Sequence, residues 1–108
     1  MTGNDSAMMK EMIELFLNQL AEMRVDIKSL IDSKNWLELS RMAHKIKSSA
    51  LVMGIEEMVN EMKELELLSK EGKNSEGYPD YVARFDTMIN IVEAELKIYL
   101  DSAKWFNM

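Results

Sequence analysis

The sequence predicts an all-α protein, an antiparallel up-down-up-down four-helix bundle, on the strength of three observations. Of 108 residues only 4 are glycine and 1 is proline, whereas Leu, Met, Glu, Lys and Ala, which favour helices, are abundant. Apolar side chains alternate at spacings of three and four residues, which places them along one helix face. Polar stretches divide these stripes into four segments. We therefore expect a single bundle domain over residues 1–108.

The first segment predicts one long helix over residues 6–32. An oxygen of Asp5 or Ser6 is expected to cap its first turn. A helix of this length can bend or break near Ala21, and the sequence does not fix the position. Its apolar stripe consists of Met9, Ile13, Phe16, Leu20, Met23, Ile27 and Leu30.

The second helix is expected to begin near Trp36. Asn35 and Glu38 have the spacing of a capping box, and Gly54 stands where a left-handed residue ends a helix. Small alanines within the stripe indicate that a neighbouring helix approaches closely. The stripe consists of Leu39, Ala43, Ile46, Ala50 and Met53.

Two further helices follow on either side of residues 69–77, which are polar, contain two glycines and predict a mobile surface loop. The third stripe is Ile55, Met58, Met62 and Leu65, and it fades by Lys70. Pro79 suits the first turn of a fourth helix over 79–103, and residues 104–108 are expected to fray. The fourth stripe is Val82, Phe85, Ile89, Val92, Leu96, Tyr99 and Ala103. A coiled coil has the same spacing, but stripes of only about three heptads favour the bundle.

Composition excludes several classes of function. With 19 acidic and 13 basic side chains the net charge is −6, which repels nucleic acid and anionic lipid. The lack of cysteine rules out disulfides and thiolate chemistry and fits the cytoplasm. No apolar run approaches the roughly 20 residues that cross a bilayer, and the N-terminus lacks a signal pattern.

The single histidine, His44, lies on the second helix. At 100° per residue it falls roughly 140° from the stripe Leu39–Met53, so its imidazole should point outward. Arg41, Lys45 and Lys47 flank it on an otherwise acidic protein. A basic patch around an exposed imidazole suits a transferable anion, although a solvated charged face explains the same charges equally well.

Enzyme templates fit poorly. Metal sites in bundles use Glu-x-x-His pairs, but Arg41 stands three residues before His44 and there is no second histidine. No phosphate-cradling glycine loop or nucleophile elbow occurs, so the chain should neither bind ATP nor turn over a substrate. The 11 methionines could line a partner groove, but most fall on or beside the stripes and are better explained as core.

The stretch from Ala43 to Gly54, AHKIKSSALVMG, resembles the signature of histidine-containing phosphotransfer (HPt) domains. In that family an alanine precedes the phospho-acceptor histidine, x-Leu-Lys-Gly-Ser follows it, and a glycine ten residues later closes the helix. The corresponding positions are Ala43, His44, Ile46, Lys47, Ser48, Ser49 and Gly54.

The likeness covers about residues 8–72. It includes Phe16 in the first helix, the Asn35-Trp36 break and the pair Leu65-Glu66, which resembles a Leu-Glu pair on the family's following helix. One position departs, because Ser48 replaces the usual glycine; serine is still small.

The resemblance implies a phosphorelay intermediate, a carrier without its own ATP site. Phosphoryl would pass reversibly between His44 and the phospho-aspartate of a response-regulator receiver domain, within a pathway that includes a hybrid sensor kinase. Lys47 would stabilise the phosphoryl group, and Mg²⁺ would belong to the receiver, so this chain needs no cofactor. The alternative is a helical module that docks partners without transfer. With its stripes satisfied internally, the chain is expected to be monomeric.

A docking surface is expected around the imidazole. Leu37 and Leu51 lie roughly 160° and 120° from the core direction, on the same face as His44 and Ser48. They could form an apolar contact ring that excludes water from a docked receiver, or neighbouring helices or the bend of helix one could partly cover them. The basic side chains would steer an acidic partner. The expected binding residues are Leu37, Arg41, Lys45, Ser48, Leu51 and Glu66.

Overall fold

In a computed structural model, which describes residues 2–102, the chain forms four α-helices. They are α1 (Thr2–Asp32), α2 (Trp36–Met53), α3 (Glu56–Glu71) and α4 (Tyr78–Ser102), with a short 3₁₀ turn at Ser75–Gly77. Helix α1 packs on α2, α2 on α3, α3 on α4 and α4 on α1. This closed ring of neighbours, with no strand in residues 2–102, confirms the all-α four-helix bundle.

The residues predicted to cap the N-termini of α1 and α2 do not do so. Helix α1 begins at Thr2 and runs without interruption through Ala21, so Asp5 and Ser6 lie in helical backbone and neither is the cap. Asn35 does precede α2, but its side chain makes no capping hydrogen bond. The turn is closed instead by backbone, where the Asn35 N–H donates to the Leu30 carbonyl at 3.0 Å.

The connection between α3 and α4 is shorter and better packed than expected. Helix α3 continues past Ser69 and ends at Gly72, which has φ 65°. A Cβ on Gly72 would lie 3.1 Å from Cδ1 of Trp36, and Trp36 stacks edge-on against Tyr78 with ring centroids 5.0 Å apart. The prediction that the loop begins at residue 69 is therefore wrong, because α3 runs to Glu71 and Gly72 lies against Trp36.

Buried Ser69 explains part of this error. Its side chain has no exposed surface, yet its hydroxyl donates to the Leu65 carbonyl at 2.6 Å. A serine whose hydroxyl donates a hydrogen bond to a carbonyl of its own helix has no unpaired polar group, so its burial costs little free energy. A prediction based only on residue polarity therefore placed the end of α3 too early.

The predicted stripes form most of the core. Exceptions lie at the ends of the two longest helices, where Met9 and Tyr99 are exposed because α2 and α3 are too short to cover them. Exposed Met8 and Met12 also depart from the expectation that methionines fill the core. Ala103 and residues 104–108 lie outside the described part of the chain. The buried stripe residues are Ile13, Phe16, Leu20, Met23, Ile27, Leu39, Ala43, Ile46, Ala50, Met58, Met62, Leu65, Val82, Phe85 and Ile89.

Polar contacts fix the register of α4 against its neighbours. Arg24 Nε on α1 donates to Asp86 Oδ1 at 3.0 Å, and Lys28 Nζ lies 2.9 Å from the other carboxylate oxygen. On the opposite side, the Tyr81 hydroxyl donates to Glu64 Oε1 on α3 at 2.6 Å. Within residues 2–102, no helix combines the length and apolarity needed to cross a bilayer.

Candidate functional site

His44 lies in the middle of α2, on the face opposite the core. The adjacent Ala43 and, further on, Ile46 are fully buried, whereas the His44 side chain is 58% exposed. The imidazole points outward, as its position outside the apolar stripe predicts. A partner protein can therefore approach the ring directly.

Glu66 of α3 joins two functional candidates on α2. Its Oε2 lies 3.0 Å from His44 Nδ1, and its Oε1 accepts a hydrogen bond from Lys47 Nζ at 2.9 Å. The Glu66 backbone is held as well, since its carbonyl accepts from Ser40 Oγ at 2.9 Å. We call His44, Glu66 and Lys47 the histidine cluster.

The electrostatics of the histidine cluster keep Glu66 ionised. Burial disfavours the charged carboxylate, but hydrogen bonds from Lys47 and His44 outweigh that cost and hold the pKa of Glu66 below its usual range. An ionised carboxylate only accepts hydrogen bonds. The proton in the contact therefore belongs to His44 Nδ1, and the lone pair of the neutral ring is on Nε2.

Removing Glu66 should change the tautomer of the ring. In Glu66→Ala we expect ¹⁵N shifts of neutral His44 to report a mixture of Nδ1–H and Nε2–H forms instead of one tautomer. Glu57→Ala, an exposed carboxylate on the same helix, is the control. A wild-type ring that carries its proton on Nε2 would contradict the assignment.

The cations around His44 are mostly engaged. Arg41 pairs with Glu38 one turn earlier on α2, and Lys47, only 21% exposed, pairs with Glu66. Lys45 is exposed. The basic patch is therefore a set of ion pairs around the imidazole rather than a row of unpaired charges.

The expected docking residues are all at the surface. Leu37 and Leu51 are 56% and 60% exposed, so more than half of each side chain is open to solvent. Ser48 is exposed, and its hydroxyl donates to the His44 backbone carbonyl at 3.1 Å. Along the outer face of α2, Leu37 and Leu51 lie seven residues before and after His44, and Ser48 lies one turn after it.

An open depression of about 290 Å³ adjoins the imidazole. Sequence reasoning missed two of its residues, Ser40 and Lys70. Lys70 stands four positions after Glu66 and so shares its face of α3. This spacing is the sequence feature that could have identified Lys70. The lining residues are Leu37, Ser40, Arg41, His44, Glu66 and Lys70.

A metal centre is not formed by the described side chains. Among them no group of three His, Cys, Asp or Glu residues comes together in a way that could hold an ion. The site consists of an exposed imidazole, a carboxylate in hydrogen-bonding contact with it and nearby cations.

A helical bundle that presents one imidazole, held by a carboxylate, to solvent has the arrangement expected of a carrier domain that reacts through a single side chain. The chain belongs to the Hpt domain family, whose model matches residues 11–95. Domains of this family take part in histidine phosphotransfer in two-component phosphorelays, as phosphocarriers that interact with receiver domains and kinases. The match extends beyond the region of resemblance into α4. Comparisons with curated proteins and with solved structures give no match.

Proposed function

We propose that this protein is a phosphorelay intermediate whose phospho-acceptor is Nε2 of His44. The observation that carries the proposal is the contact between His44 Nδ1 and Glu66 Oε2 at 3.0 Å. It fixes the proton on one ring nitrogen and leaves the other, on an exposed side chain, with its lone pair available. An exposed nucleophile with a fixed tautomer suits reversible transfer with another protein.

The transfer step balances without a further reactant. The Nε2 lone pair attacks phosphorus of the receiver's phospho-aspartate, the N–P bond forms, and the P–O bond to the aspartate breaks with its electrons returning to the carboxylate. The phosphorylated ring keeps its proton on Nδ1 and becomes cationic, and Glu66 stabilises this charge. Reversal passes the phosphoryl group to the aspartate of a second receiver domain.

The proposed partners supply what the chain's own site lacks. The receiver brings the aspartate and its Mg²⁺, and a hybrid sensor kinase starts the relay. We propose that the chain acts as a monomer, since one chain buries the core of all four helices. Its net charge of −6 disfavours nucleic acid, and its lack of cysteine suits a reducing compartment such as the cytoplasm.

Transfer from a ³²P-labelled receiver domain tests this function. We expect label to move from the phosphorylated receiver to this protein, and no label to be acquired from [γ-³²P]ATP alone. Label taken directly from ATP would show an enzyme with its own nucleotide site. Receiver binding without transfer, across the receivers of the same cell, would instead support the helical docking module.

Lys47 is expected to affect transfer more than folding. Lys47→Ala should slow transfer or shorten the phosphohistidine lifetime by about ten- to a hundredfold. A charge-assisted contact between the lysine ammonium and the phosphoryl oxygens contributes roughly 1–3 kcal/mol. The melting temperature should change little, because the pair is partly exposed to solvent. Lys97→Ala, an exposed lysine on α4, is the control. Normal transfer with a large loss of stability would assign Lys47 to the fold.

Leu51 tests the docking surface. Leu51→Asp should weaken receiver binding by more than about 1 kcal/mol without changing helicity, because the leucine is 60% exposed and packs in no core. Isothermal titration with the receiver and far-UV circular dichroism measure the two effects. Ile98→Asp, an equally exposed apolar position on α4, should bind normally. Unfolding of Leu51→Asp with unchanged binding per folded molecule would remove Leu51 from the surface.

A further inference from the structure

The depression beside His44 has a cation on each of its two helices. Arg41 lines it from α2 and Lys70 from α3, with the imidazole between the helices and open to solvent. A phosphoryl group on Nε2 would project from the exposed side of the ring and carry nearly two negative charges near neutral pH. The side chains around this depression therefore decide how the phosphorylated form is stabilised.

Lys70 differs from the other cations near the ring because its charge is not committed. Lys47 is held on Glu66 and Arg41 on Glu38. Lys70 is exposed, and the structure records no ion pair or hydrogen bond for it with any residue of the described range. Its natural partner four residues earlier, Glu66, already uses one carboxylate oxygen on His44 and the other on Lys47. The ammonium of Lys70 can therefore meet an incoming anion without first breaking a contact.

The position of Lys70 complements that of Lys47. The Ser40 hydroxyl donates to the Glu66 carbonyl. Lys70, which follows Glu66 by one turn on the same face of α3, therefore lies towards the N-terminal side of His44 along α2. Lys47 lies one turn to the C-terminal side. The two lysines thus approach the ring from opposite ends, one bound to the orienting carboxylate and the other at the edge of the depression.

We propose that Lys70 is a phosphoryl-binding residue, whose ammonium contacts the phosphoryl oxygens once His44 is phosphorylated. This inference rests on the proposed function. The two lysines differ before transfer: Lys47 is already held on Glu66, whereas Lys70 meets only the charge that transfer brings to the ring. Arg41 supplies a second donor at the opposite wall when it leaves Glu38.

Chemical phosphorylation makes the test independent of any receiver. Phosphoramidate, a small phosphoryl donor, loads His44 directly, and ³¹P NMR then follows the titration of the phosphoryl group. In Lys70→Ala we expect the midpoint of this titration to rise by a few tenths of a pH unit, because a nearby cation favours the dianion. Lys70→Arg should restore the wild-type midpoint, and Lys97→Ala should not change it.

Two further measurements separate this role from a structural one. The ring ¹⁵N shifts of unphosphorylated Lys70→Ala should match those of the wild type. At equilibrium with a receiver, the same variant should hold about three- to tenfold less phosphoryl relative to the receiver. An unchanged ³¹P titration in Lys70→Ala overturns the proposal. A shifted titration with no transfer from any receiver leaves Lys70 in place and refutes the phosphorelay function instead.

Discussion

In the His44→Gln variant, phosphoryl transfer from a phosphorylated receiver domain is expected to fall to background. His44 is the single histidine and the chain has no cysteine, so no other side chain offers a comparable nucleophile at neutral pH. Glutamine is polar, fits an exposed helix position and can still contact Glu66. The substitution should therefore remove the nucleophile and leave the bundle intact, which circular dichroism and thermal melting would verify.

The chemistry of the label provides an independent check on His44. A phosphoramidate N–P bond is labile to acid, whereas phosphate esters of serine, threonine or tyrosine survive it. Wild-type label should therefore be lost in acid and retained in base. Acid-stable label, or transfer that persists in His44→Gln, would show that another residue is the acceptor.

The core could be predicted from the sequence because a helical stripe depends only on local spacing. Phe16, Leu39 and Phe85 are buried where the stripes place them. The exposure of Met9 and Tyr99, at the ends of α1 and α4, could not be predicted. It depends on where the neighbouring helices α2 and α3 end. Spacing within one helix carries no information about the length of its neighbours.

The candidate site also combines features that one helix determines with features that depend on packing between helices. That His44 points outward follows from its angle on α2 alone. Its contact with Glu66 depends on the register between α2 and α3, which Ser40 helps to set through the Glu66 carbonyl. The resemblance singled out Glu66, but only the structure shows it between His44 and Lys47. Lys70 was missed because its one sequence signal, the spacing of four residues from Glu66, is informative only once Glu66 is known to contact His44.

In the Ser48→Phe variant, receiver-dependent transfer is expected to fall by more than about a hundredfold while the bundle still folds. Ser48 is exposed one turn after His44 on the same face of α2, so a ring there stands beside the imidazole where the receiver must approach. A displacement of the reacting atoms by about 1 Å can cost a hundredfold in rate. The block should be steric, so phosphoramidate, which is small, should still phosphorylate His44 in this variant.

Three matched variants separate the effect of side-chain bulk from those of the hydroxyl and of the helix. Ser48→Gly and Ser48→Ala remove the hydrogen bond to the His44 carbonyl but leave space, and both should transfer at near wild-type rates. Thr87 on α4 is also exposed and donates to a carbonyl four residues earlier at 3.1 Å, as Ser48 does. Thr87→Phe should therefore carry the same cost to its helix without affecting transfer. If Ser48→Phe transfers normally, the receiver does not approach His44 across Ser48, and its docking surface must lie on the side of Glu66 and Lys70.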